Sequence, residues 1–179
     1  MNINSQIDND LLKQIEKYIA DNLIVKEEKE NYEIEDILFG LNDYFDRDVF
    51  SDETLIGINN IGNNIEETWQ QSVFHIIDKK EYKDSDVYKR AGISKQTFSK
   101  IRCNINYQPN KDTAIQMCIG LKLNLDETYD LMGKAGFTLS ESIVKDLIVK
   151  FFVEKRRYII WEINDVLYKY NLKMFPENL

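Results

Sequence analysis

The stretch Asp84–Arg102, DSDVYKRAGISKQTFSKIR, constrains this chain more than any other. Two short amphipathic segments are divided by a single glycine. A steep turn between two helices needs a residue that tolerates positive φ, and Gly92 stands there. Val87 and Ala91 put apolar groups inward just before the turn, and Ile93 fits the space between the helices. Ser94 is placed to cap the second helix. Phe98 and Ile101, four and seven positions beyond Ser94, give that helix its buried face. The remainder, Lys95, Gln96, Thr97, Ser99, Lys100 and Arg102, is polar. The pattern predicts a helix-turn-helix whose second helix exposes hydrogen-bonding side chains. Reading base edges in a major groove requires such a face, because Gln can pair bidentately with adenine and Lys can reach guanine acceptors.

The flanks read as helices too. The chain has only 2 Pro and 7 Gly in 179 residues, and 43% of it is hydrophobic. That favours long helices over short strands, and the fold class expected is all-α. Upstream, Ile65, Trp69, Val73, Ile76 and Ile77 share a helical face. Downstream, Pro109 and Asn110 open a further helix with Asn110 as cap, and Ala114, Met117, Cys118 and Leu121 form its inner side. Asn124 and Glu127 have the spacing of a capping box for the next helix, which ends at Gly136.

On these residues the segment 65–137 resembles the lambda-repressor-like, Xre-type helix-turn-helix family. The run Gly92-Ile93-Ser94-Lys95-Gln96-Thr97-Phe98-Ser99-Lys100-Ile101 carries the likeness. Pro109-Asn110 and Leu123-Asn124-Leu125-Asp126-Glu127 extend it through two more helices. The likeness covers about 70 residues, and residues 138–170 are similar to a helical tail that follows such modules in some bacterial multi-domain proteins. Three positions depart from the family: Tyr88 stands where Ala is usual, Arg102 replaces a common Glu, and the loop Cys103–Gln108 is longer. The resemblance implies a five-helix fold that binds double-stranded DNA as a dimer. It implies base contacts from Lys95, Gln96, Ser99 and Lys100, and phosphate contacts from Ser94, Arg102, Lys111 and the start of the fourth helix.

Outside this module the chain divides into an acidic N-terminal segment, residues 1–58, and a two-helix extension, residues 138–172. Leu11, Leu12, Ile15, Tyr18, Ile19 and Leu23 lie on one helical face, with Asp8 and Asp10 at its N-terminal end. Ile34, Ile37, Leu38, Leu41 and Tyr44 suggest a second helix, and residues 56–64, rich in Gly and Asn, read as a linker. In the extension Ser140 is the expected cap for a helix carrying Ile143, Leu147, Ile148, Phe151 and Phe152. The run Lys155-Arg156-Arg157 breaks the pattern and reads as a solvated turn. Ile159 or Ile160, Ile163, Val166, Leu167 and Tyr170 form the last stripe, and Lys173–Leu179 is expected to fray.

Charge and chemistry narrow the function. The net charge is −8, but it is uneven: residues 1–79 hold 6 Lys/Arg against 18 Asp/Glu, and residues 85–137 hold 8 against 5. The module is therefore mildly basic, while the acid lies ahead of it and offers a surface to a protein partner. There is no CxxC, HExxH or Gly-rich phosphate loop, so neither enzyme activity nor a metal or cofactor is expected. Cys103 and Cys118 read as two reduced thiols, one in a loop and one in the core. His75 and the tryptophans Trp69 and Trp161 read as packed structural residues. No apolar run is long enough for a membrane span, and the start lacks a secretory leader pattern, so a cytoplasmic protein is expected. Two functions fit: a dimeric DNA-binding transcriptional regulator, or an adaptor of the same fold that binds a protein in a bacterial stress or defence system.

Overall fold

Side-chain caps set the start of half of the described helices. The computed structural model describes residues 9–24 and 67–176. Among them are eight helices and no strand: α1 (Asn9–Asn22), α2 (Trp69–Lys79), α3 (Asp84–Arg90), α4 (Lys95–Cys103), α5 (Lys111–Gly120), α6 (Leu125–Lys134), α7 (Val144–Glu154) and α8 (Ile160–Lys169). The all-α expectation holds for these residues. Thr68, Ser94, Asn110 and Asn124 cap α2, α4, α5 and α6, each accepting a backbone N–H three positions on. Such caps satisfy N–H groups that have no partner within the helix. At Thr68 and Asn124 the side chain at the third helical position, Gln71 or Glu127, reaches back to complete a capping box.

α5 is the central helix. Every residue from Ala114 to Leu121 is buried, so it is enclosed on all sides by α3, α6 and the elements that follow. Gly120 allows α3 to come close: a Cβ there would lie 2.8 Å from both the Ala91 Cβ and the Val87 carbonyl oxygen. Val73 and Ile77 of α2, Val87 of α3, and Phe98 and Ile101 of α4 close this part of the core. α7 contributes Leu147, Ile148, Phe151 and Phe152, and α8 contributes Ile163, Val166 and Leu167. These belong to the apolar stripes read from the sequence; Ile143, placed in the same stripe as Leu147, is instead exposed ahead of α7.

The stripe of α1 is likewise buried at Leu11, Ile15 and Ile19, and it packs on α7. The Tyr18 ring meets Phe151 edge-on at 5.4 Å, and its hydroxyl donates to Glu154 Oε1 at 2.8 Å. Burial and that hydrogen bond push the Tyr18 phenol well above its ordinary range. Asp10 sits in the first turn of α1. Asp8, the stripe Ile34–Tyr44, the linker 56–64 and Ile65 lie outside the described residues.

Four expectations are corrected. Ser140 does not cap α7. The helix begins three residues later, with Ile143 at its cap position, and buried Asp146 accepts the Ser140 N–H at 2.8 Å. The chain end does not fray up to residue 176, because Phe175 is buried against α8. His75 is exposed, since it lies on α2 opposite Val73 and Ile77. Trp161 is exposed as well, on the outer side of α8. The basic run Lys155–Arg157 does form the turn between α7 and α8. There Arg156 takes φ 54°, and Arg157 makes two hydrogen bonds to Glu162.

Candidate nucleic-acid interface

The α3–α4 pair is held from three directions. Gly92 takes φ +65°, and the Ile93 N–H donates back to the Tyr88 carbonyl at 2.9 Å, which closes the turn. A non-glycine residue in this conformation is strained by roughly 1–2 kcal/mol. Arg90 Nε donates to the Gly120 carbonyl, so the end of α3 is tied to the end of α5. Tyr88 neither splays the helices nor points away from them. Its ring packs on Phe98 at 5.6 Å, and Phe98 meets Phe74 of α2 edge-on at 5.7 Å. A close approach on a small residue is made by α3 to α5, where Val87 and Ala91 lie against Gly120.

On this support α4 presents Lys95, Gln96, Ser99 and Lys100, all exposed. Positions i, i+1, i+4 and i+5 share one face of a helix. None of the four side chains makes a hydrogen bond or ion pair among the described residues, so their polar groups are turned to solvent. These are the residues for which the resemblance implies base contacts, and the fold places them on one face.

The residues expected at phosphates are placed differently. The Ser94 hydroxyl accepts the Thr97 N–H at 3.1 Å and donates to Thr97 Oγ1 at 2.9 Å. Arg102 makes an ion pair with Asp84 at the start of α3 and lies over the Phe74 ring at 4.2 Å. Lys111 points inward and pairs with Asp146 of α7, whose side chain is only 3% exposed. Because the Asp146 carboxylate is buried, Lys111 is its counter-charge.

The long loop after α4 is an ordered turn. The Tyr107 N–H donates to the Asn104 carbonyl, and the Tyr107 ring packs on Trp69 at 6.0 Å. Gln70 Nε2 donates to the Arg102 carbonyl and secures the C-terminal end of α4 to α2. Ile105 is left exposed at the tip of this loop, beside α4. No periodicity marks Ile105 in advance, because it belongs to no helical stripe. Cys103 is exposed and ends α4, while Cys118 is buried in α5, where burial pushes its thiol up to about 12. Among the described residues no group of three His, Cys, Asp or Glu could hold a metal, and no helix is long and apolar enough to cross a membrane.

Compared with known proteins, the chain matches no protein-family model, no curated protein and no solved structure.

Proposed function

We propose that α2–α6 form a lambda-repressor-like helix-turn-helix module that binds double-stranded DNA, with α4 as the recognition helix in the major groove. The protein would act as a cytoplasmic transcriptional regulator. The observation that carries this reading is the exposed face of α4, where Lys95, Gln96, Ser99 and Lys100 stand together without internal partners. Displaying such side chains has no packing benefit, whereas direct base readout uses Lys and Gln at such positions. One short helix reads few base pairs, so a homodimer with half-sites about 34–36 Å apart fits the reading.

A second reading has its own support. Lys111 is committed to buried Asp146, and Arg102 is paired with Asp84, from which a phosphate must displace it. Phosphate contacts supply most of the sequence-independent affinity for DNA. A helix-turn-helix with weak phosphate anchoring can present the same α4 face to a protein, as an adaptor in a stress or defence system would.

Fluorescence anisotropy on genomic fragments at two salt concentrations separates the readings. DNA binding through phosphates weakens as salt rises. Absence of binding at low salt sinks the DNA reading. The double variant Lys95→Ala, Gln96→Ala should weaken binding to the specific site by roughly 1–3 kcal/mol for each base that is no longer read. Its Tm should stay unchanged, because both side chains are exposed.

A further inference from the structure

The last described residues thread between α8 and α5 and end beside the turn that carries α4. Asn164 of α8 receives the backbone of Phe175 as a β-strand would: its Oδ1 accepts the Phe175 N–H at 2.8 Å, and its Nδ2 donates to the Phe175 carbonyl at 3.0 Å. The Phe175 side chain is 2% exposed, and the Lys145 ammonium lies 4.1 Å from its ring centroid. The same Lys145 is paired with Asp112 of α5 at 2.7 Å. One position on, the Pro176 carbonyl accepts a hydrogen bond from Gln116 Nε2 at 2.8 Å.

Gln116 is the joint. It sits on α5, is 1% exposed, and uses its amide nitrogen twice, donating also to the Ala91 carbonyl at 3.0 Å. Ala91 caps α3 and directly precedes Gly92. A Cβ on Gly92 would meet Gln116 Nε2 and Ile160 Cγ2, each at 3.5 Å, so the turn rests on the joint and on the first residue of α8. Two hydrogens of one buried amide thus join the tail to the α3–α4 turn. A buried donor left without its acceptor is costly, so loss of either partner disturbs the other.

We propose that residues 173–176 are an intramolecular latch: Phe175 and Pro176 fill a slot between α5, α7 and α8 and, through Gln116, hold the α3–α4 turn that aims α4. The occupant of the slot is the chain's own aromatic–proline segment. The inference concerns the turn itself and stands independently of whether α4 reads DNA or a protein.

Native-state hydrogen exchange on the full chain tests it, because the Gly92 and Ile93 amides donate within the turn, to Lys89 and Tyr88. Phe175→Ala empties the slot. Gln116→Met keeps the length of the side chain and removes only the joint. In both variants the two turn amides should exchange roughly tenfold faster, about what the loss of one buried hydrogen bond gives. The Phe137 amide, which donates to Met132 at the far end of α6, should keep its rate. Unchanged exchange at Gly92 and Ile93 in Gln116→Met would overturn the latch. An equal rise at all three amides would also overturn it, since that reports global destabilisation. Should Phe175→Ala not fold, Gln116→Met decides alone.

Discussion

Arg102 closes on Asp84 across the α3–α4 pair, with its Nη2 2.6 Å from each carboxylate oxygen. The two residues are 18 apart in sequence and join the end of α4 to the start of α3. Their side chains are 48% and 40% exposed, so solvent screens the pair and it contributes at most about 1 kcal/mol. The guanidinium is therefore exchangeable: a phosphate can take the place of the carboxylate at little cost. Asp84→Asn should leave Tm nearly unchanged and raise low-salt affinity for DNA, with the salt slope steeper by about one. An unchanged slope would mean that Arg102 contacts no phosphate.

Lys111 differs because its partner is buried. Replacing it by Met leaves the Asp146 carboxylate with the Ser140 N–H as its remaining donor. The expected loss of stability is on the order of 3 kcal/mol, read as a lower urea midpoint with an unchanged m value. DNA affinity of the protein that remains folded should not change. Weaker binding with full stability would instead make Lys111 a ligand contact.

Gly120→Ala sets helix propensity against packing. Alanine favours an exposed helix interior by about 1 kcal/mol over glycine. Here its Cβ would stand 2.8 Å from backbone and from Ala91, neither of which is a flexible chain end. Overpacking of this kind costs roughly 1–3 kcal/mol, so the net effect should be destabilising. Thermal unfolding of the variant checks the sign. A raised Tm would show that α3 can move away from α5 freely.

Glu127 ties stability to acid pH. Burial alone would raise its carboxyl, but the Asn124 N–H and the Lys80 ammonium at 3.2 Å outweigh this and hold it below its ordinary value. A depressed folded-state value means that stability is present above the unfolded value of about 4.3 and is lost as pH falls through the folded one. Tm should therefore decline on acidification, and Lys80→Met should flatten this part of the profile. Equal acid limbs in the two proteins would remove Lys80 from the account.

The features legible in the sequence are local. Gly92 at positive φ, the caps Ser94, Asn110 and Asn124, the Asn124–Glu127 capping box and the buried pair Phe98 and Ile101 all act within seven residues. Such interactions depend on the order of residues along one turn or two. The exposed set Lys95, Gln96, Ser99 and Lys100 is legible for the same reason, because helical periodicity alone places it opposite Phe98 and Ile101.

The rest depends on which helices meet. Lys111 finds Asp146 35 residues away, and Gln116 reaches Pro176 across 60. Neither spacing carries a periodic signal. Asp146 takes the Ser140 N–H, and the Ser140 hydroxyl accepts the Ser142 N–H within the turn that precedes α7. The short tail Lys173–Leu179 carries no helical stripe and reads as frayed until Asn164 offers the Phe175 backbone a partner and α5, α7 and α8 offer its ring a place. Local residue order thus specifies most of the helices, their caps and the polar face of α4. Which cations face solvent is a matter of tertiary packing, because a side chain's partner is set by the helices beside it, and those contacts are not written in local order.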